Sequence, residues 1–440
     1  MRRIDRIEVD IAIVGGGACG TMTALRASQN RNCVVGVFEK SQREGCNAEI
    51  SSGSLSAGGT RFQRSAGIID SPQSHAQDIM HALGDASMHE IVLKLCEAAP
   101  RYVEWISDDL GYPLDVGTDM PRAGMSVPRL HADPARRGGA PLMSFLKREL
   151  KSRPNVAFVD EARTTSIMVV GGVVSGITIM QNGNVTEVFA PEVVLATGGF
   201  AANPVLMKRH CPGLGNPYNC GCASAVGDAL VWLEELDADF RNFGSCLRHG
   251  QVVLGHGTRL SPALPFLGAV ILDLTGRRLI DEESVGYSSL AEIIQQEPGE
   301  RVAMIWDEEA MTKSSESELM RESISANSFR MYNGIEGLAE QFEASPLVIA
   351  DSLEPRPGRR GLVAPYYLAW LTHGVLTTQG GAVVDSCGRV KDKSGAVIQN
   401  LRAGGDLVVG LCGSDSKGYS SGNGLLMAFG MGWIIGNALS

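Results

Sequence analysis

The chain has no C-x-x-C pair, no C-x-x-C-H segment and no run of 18 uncharged apolar residues. The missing C-x-x-C-H excludes a c-type haem attachment. The missing apolar run leaves no segment that reads as a membrane-spanning helix. Ten cysteines are spread irregularly through 440 residues, so a disulfide framework is not expected and reduced thiols are. Cys220 and Cys222 stand one residue apart, with His210 and Cys211 nearby. Zinc pairs normally leave about two to four residues between them, so no metal site is expected. Basic side chains are outnumbered, 39 against 49 acidic, for a net charge of −10, and they form no cluster. Nucleic acid is therefore not an expected partner, because phosphate binding needs grouped cations. The arginines near the N-terminus lead into no apolar segment before an ordinary strand pattern. No secretion signal is read, and the expected location is cytoplasmic.

Apolar residues and glycine are plentiful: 44% hydrophobic, with 53 glycines. This is globular composition. The glycines imply tight turns or close backbone approach to a ligand. Residues 9–14 (VDIAIV) read as a buried strand, and Gly15-x-Gly17-Ala18-x-Gly20 follows at once. A helix over 21–28 and a strand over 34–38 ending in Glu39 complete the order strand, glycine turn, helix, strand, acid. The first glycine permits the turn, the second lets backbone approach a pyrophosphate, and the third lets helix and strand pack closely. The helix N-terminus presents N–H groups and a positive dipole end to phosphate, and Ala18 in the glycine turn is a further cofactor-binding candidate. Glu39 is placed to accept hydrogen bonds from ribose hydroxyls. This fingerprint alone leaves FAD and NAD both open.

The other end of the chain narrows the choice. Residues 401–406 (LRAGGD) read as a strand ending in Gly404-Gly405-Asp406. Gly422, Asn423 and Gly424 then open an apolar helix from Leu425 to 438. A late acid followed by a second helix N-terminus suits a long cofactor. Asp406 would hold ribitol hydroxyls, and the helix end would stabilise negative charge on a reduced flavin.

Further segments join these: Glu39-Lys40, Gly45-Cys46-Asn47, Ser52-Gly53, VLATGGFAANP over 194–204 with Thr197 and Gly198, Gly227-Asp228, GRRLIDE over 276–282 and TQGGAVVD over 378–385. In this order they resemble the flavoprotein family of fumarate reductase and succinate dehydrogenase, which includes the 3-ketosteroid dehydrogenases. The resemblance implies an α/β fold: a Rossmann-like FAD-binding domain built from residues 1–235 and 356–440, with an inserted α+β cap domain over 236–355. It implies FAD contacts at Lys40, Asn47, Ser52, Gly53, Thr197, Gly198 and Asp228, beside those read above. Members that attach FAD covalently do so through a histidine before a double glycine. Residues 51–59 here (SSGSLSAGG) hold none, so FAD is expected to be non-covalent. Gly45-Cys46-Asn47-Ala48 departs from the Ser/Thr usual there, so some flavin contacts are expected to differ.

The departures at the reacting end are larger. The family's proton-donating arginine falls on Gly286, and its carboxylate-clamping arginine on Tyr419. Without two guanidinium groups a dicarboxylate loses charge-assisted bonds of about 1.5–3 kcal/mol each, so fumarate or succinate is not the expected substrate. Tyr287 and Tyr419 remain, and the ketosteroid dehydrogenases place tyrosines in these two regions, one as base and one polarising the ketone. His373 is a third catalytic candidate. His249 and His256 read as satisfied core or surface histidines, and Gly138-Gly139 as a turn before a helix. The expectation is hydride transfer between FAD and a carbon–carbon bond adjacent to a carbonyl, on a small carbonyl-containing substrate. No haem or iron–sulfur motif is present, so electrons pass to or from an external donor or acceptor. The alternatives are a fumarate-reductase-like enoate reductase, another FAD-dependent oxidase or hydroxylase, and a non-catalytic flavoprotein. Residues 155–195 read as a strand meander, 75–111 as helical, and 353–360 (LEPRPGRR) as the hinge returning from the cap.

Overall fold

Short apolar strands, buried on both faces, form the centre of the first sheet. The computed structural model describes residues 5–118, 124–135, 138–413, 418 and 420–440. Six strands run in the order Arg389–Lys391, Val397–Ala403, Glu192–Leu195, Ile11–Val14, Val35–Phe38 and Val156–Val159. All neighbours are parallel except the first pair. Ile11–Val14 and Val35–Phe38 are buried throughout, as parallel strands covered on both faces should be. The register sets Ile13 between Val37 and Val194. Of the meander read over 155–195, Arg163–Val170, Val173–Gln181 and Asn184–Phe189 form an antiparallel second sheet that Asp5–Glu8 joins in parallel, while Val156–Val159 and Glu192–Leu195 belong to the first sheet.

The chain divides into two units. The first is Met1–Pro212, Gly221–Cys246 and Thr377–Ser440; the second is Gly213–Cys220 and Leu247–Leu376. In the first, helix Ala18–Ala27 lies against helix Asn423–Ala438, close enough that a Cβ on Gly432 would meet Cys19 O at 2.6 Å. The helical stretch is Pro72–Leu83 and His89–Asp108.

The second unit is built on strands Tyr218–Asn219, Tyr366–Thr378, Val302–Asp307 and Val270–Leu272, with Cys246–Val253 also paired to Tyr366–Thr378. Val302–Asp307 (VAMIWD) shows why. Val302, Met304 and Trp306 pack with Leu290 and Ile294 on one face, Ala303 and Ile305 with Leu338 and Ile349 on the other. Alternate residues serve two cores, so the run is apolar without a break.

The unit's limits differ from the 236–355 read in the sequence. Residues 236–246 lie in the first unit, where Phe240–Arg241 pairs with Gly381–Ala382. The proline- and glycine-rich stretch at 353–360 is not a return point. Arg359 pairs with Asp281 and Glu282, and Arg360 with Asp307, all within the second unit.

Candidate active site

Residues from both ends of the chain meet within the first unit. Gly15, at φ +102°, turns strand Ile11–Val14 into helix Ala18–Ala27. A Cβ there would lie 2.4 Å from Ala196 O, and one at Gly20 would lie 2.0 Å from Gly15 O. Gly17 precedes the helix and no side chain caps it, which leaves its first N–H groups available to an anion. Glu39 follows the second strand. Its Oε2 accepts from Gly16 N–H at 2.7 Å and its Oε1 from Ser41 N–H at 2.9 Å, fixing the carboxylate beside the glycine turn.

Three distant segments meet at Asn47. Its Nδ2 donates to Asp406 Oδ2 at 3.1 Å, and its Oδ1 accepts from Cys222 N–H at 2.7 Å. Burial pushes the Asp406 carboxyl above the usual carboxylate range, against hydrogen bonds from Asn47 and Thr377. Gly405, at φ +71°, makes the turn that sets Asp406 after strand Val397–Ala403. Helix Asn423–Ala438 starts behind Gly422 (φ +85°), again with no side-chain cap. Asn423 Nδ2 donates to Leu411 O at 2.8 Å, while its Oδ1 is buried without a partner among the described residues, as is Thr197 Oγ1. A Cβ on Gly198 or Gly424 would meet nothing within 4 Å. Leu425 is half-buried in the first turn of that helix.

Two uncapped helix ends, two orphaned polar atoms and a glycine-lined space fit FAD. The first helix end suits the pyrophosphate, and the second the flavin.

Other expected contacts are placed differently. Lys40 Nζ donates to Asp228 Oδ2 and Ser224 O, each at 2.6 Å, so these two chosen residues hold one another. Ser52 is exposed and bonded to Ser54 at 3.1 Å. Gly53 (φ +68°) abuts Gly138, and Gly139 N–H donates to Ser51 O at 2.9 Å. Cys222, Ser224 and Thr377 bond to Asn47, Lys40 and Asp406, contacts that no sequence pattern announces.

The reacting-end candidates lie in the second unit, except Tyr419, which is outside the described residues. Tyr287 opens helix Tyr287–Gln296 after Gly286. Its ring stacks on His249 at 4.7 Å between centroids and 26° between planes. His249 is 2% exposed, and its Nδ1 accepts from Gln251 N–H at 3.1 Å. Burial, helped by the field of Arg259, pushes this imidazole down to about 3. It is therefore neutral, and with Nδ1 an acceptor the proton sits on Nε2. Arg259 lies opposite Val252 in a short bridge. Burial lowers its guanidinium from the usual range, against the fields of Cys220, Glu322 and Tyr287. The sequence read only the two motif arginines. This third one sits in an apolar hairpin that no motif marks, and it makes the surroundings of Tyr287 charged rather than purely phenolic. His249 read as a satisfied core histidine; nothing in its local pattern announces the ring stack.

His373 is 1% exposed and engaged at both nitrogens. Its Nε2 meets Glu300 Oε2 at 3.1 Å, and its Nδ1 meets Arg248 Nη2 at 3.3 Å. Burial lowers its basicity, Glu300 opposing. Among the described residues no group of three or more His, Cys, Asp or Glu could hold a metal ion, and no helix is long and apolar enough to cross a membrane.

Residues 10–425 match the FAD binding domain family. The chain belongs to that family and binds FAD. The NADH:fumarate oxidoreductase of Klebsiella pneumoniae is 25% identical over 93% of this chain, which spans 45% of that protein's length. The cytochrome-type fumarate reductase of Shewanella frigidimarina is 26% identical over 93% of this chain and 74% of its own. Among solved structures, the open conformation of a flavocytochrome c3 fumarate reductase superposes with a TM-score of 0.83 at 22% identity, covering 98% of this chain and 78% of that one. The 3-ketosteroid delta1-dehydrogenase of Sterolibacterium denitrificans, in complex with 1,4-androstadiene-3,17-dione, gives 0.81 at 18% identity, with 98% and 99% covered. The chain is thus an FAD-binding flavoprotein that shares the fold of these fumarate reductases and ketosteroid dehydrogenases.

Proposed function

We propose that this enzyme exchanges a hydride with a carbon–carbon bond adjacent to a carbonyl, on a small substrate that is not a simple dicarboxylate. The single observation that carries this reading is the His249–Tyr287 stack, which presents a fixed neutral N–H donor beside a phenol. A neutral donor polarises a carbonyl oxygen without needing a charged ligand. It thereby acidifies the α-hydrogen, which the tyrosine removes as phenolate or returns as phenol. Tyr287 holds or moves that proton at its Oη, and Tyr419 is the second phenol proposed for the site. His373, occupied by Glu300 and Arg248, orients the strand Tyr366–Thr378 rather than meeting the substrate. Bound FAD supplies the hydride-transfer chemistry. Gly15, Gly17, Ala18, Gly20 and Glu39 would hold its adenosine diphosphate end. Asn47, Thr197, Gly198, Asp406 and Gly422 to Leu425 would hold the ribityl and flavin end. Non-covalent attachment, an external electron carrier and a cytoplasmic location belong to the same proposal.

The test is anaerobic titration of the FAD-loaded chain with enones, saturated ketones and enoates, following the flavin band. Neutral ketones are expected to bleach or reoxidise the band faster than fumarate or succinate; the reverse order ends the proposal. Tyr287→Phe is expected to lower kcat about 10²- to 10⁴-fold with FAD content unchanged. Arg259 favours a second reading, in which the substrate is an enoate bearing one carboxylate. That reading expects enoates to outrun ketones, and Arg259→Met to raise KM for them alone.

A further inference from the structure

Cys211 and Cys246 belong to the first unit and take no part in the site described above. Cys211 follows helix Pro204–His210, and its N–H bonds Met207 O at 2.8 Å. Cys246 opens strand Cys246–Val253. Their sulfurs stand 3.8 Å apart in hydrogen-bond contact, with Cys211 buried and Cys246 half-buried. Elsewhere burial makes thiols inert: Cys19, Cys46 and Cys412 are pushed up to about 12, and Cys220 to about 11. Cys211 moves the other way. The Cys246 contact, more than offsetting burial and aided by Gly244, holds it below the ordinary thiol range.

We propose that Cys211 and Cys246 are a reversible oxidation site, forming a disulfide with a low-molecular-weight disulfide such as glutathione disulfide as oxidant. Cys211 takes the proton of the half-buried Cys246, whose sulfur attacks one glutathione sulfur, forming a mixed disulfide and releasing one glutathione thiolate. Cys211 then attacks the Cys246 sulfur and releases the second. Two protein thiols lose two protons and two electrons, and one glutathione disulfide becomes two thiols. Closing from 3.8 Å to about 2.05 Å asks each sulfur to move roughly 0.9 Å.

The bond would close a loop of 35 residues. That loop carries Cys222, Ser224 and Asp228, which bind Asn47 and Lys40 beside the cofactor site. Oxidation therefore tethers one wall of that site and slows FAD release.

The experiment treats the FAD-loaded full chain with glutathione disulfide, alkylates the remaining thiols and maps cross-linked peptides by mass spectrometry. The expected result is one Cys211–Cys246 cross-link with the other cysteines alkylated, reversal by dithiothreitol, and FAD release slowed severalfold. Cys246→Ser should show no cross-link. Full alkylation of all ten cysteines after oxidant, or glutathione adducts without the cross-link, would overturn the proposal in the wild-type chain itself. Unchanged FAD release in the cross-linked protein would overturn the link to the cofactor site.

Discussion

At Gly20 a single methyl group is decisive. Its Cβ would fall 2.0 Å from Gly15 O, inside any real contact distance, so Gly20→Ala must push the first helix away from the glycine turn. Overpacking of this kind costs about 1–3 kcal/mol, which is roughly 5- to 150-fold in FAD affinity if the bound form bears it. The ratio of flavin to protein absorbance checks it. Asn47→Ala leaves Cys222 N–H and an Asp406 oxygen without their partner. An unmet buried group costs about 1–3 kcal/mol, and fluorescence titration of the apoprotein should show FAD binding weakened about tenfold or more. Gly20 was legible in the sequence, because the steric demand is met by the residue that suffers it. His249 was not legible. Its neutrality and tautomer come from burial, a ring from another element and an N–H two residues on, none of which a local pattern records.

At the scale of elements, the helices behind the two uncapped N-termini are held by small residues. A Cβ on Gly436 would lie 2.7 Å from Thr23 O, and one on Gly432 2.6 Å from Cys19 O. Gly436→Leu should therefore lower stability by about 1–3 kcal/mol, read as a lower denaturant midpoint, and weaken FAD retention by shifting both helix ends. The sequence showed that the second helix exists, from Gly422-Asn423-Gly424 and the apolar run behind it. It did not show which helix it touches. The misplaced cap limits have the same origin. Proline and glycine at 353–360 look like a hinge locally, but Arg359 and Arg360 find their acids far away in sequence, at 281, 282 and 307. Ion pairing across the fold overrides local composition.

Across the whole molecule, buried histidines and paired carboxylates make acid the vulnerable direction. Burial pushes His75 and His249 down to about 3 and His131 to about 4. Each stays neutral when folded but charges in the unfolded chain below about 6.5. The unfolded state then binds more protons, so stability is full above that value and falls as the pH drops toward 3 to 4. At pH 5.5 each such histidine costs about 1.4 kcal/mol. Burial opposes ionisation of Asp70 and Asp78, but Arg129, joined by Gln63 and Ser71 at Asp70 and by Ser126 at Asp78, more than offsets it and lowers both. Their contribution is present above the usual carboxylate range and is lost as pH falls through the depressed values. Denaturant midpoints should therefore be level from pH 8 to 7, decline below about 6.5 and drop steeply below about 4; a midpoint that rises on acidification would contradict this. The amino-acid order by itself determined the cofactor and the glycine turns and helix starts at both chain ends, because these are local constraints written where they act. The tertiary structure alone decided that His249 and Arg259 stand with Tyr287, that His373 is spent on Glu300 and Arg248, and that Cys211 meets Cys246. Those are encounters between segments far apart in sequence, and their energies depend on which side chains folding brings within a few ångströms of each other.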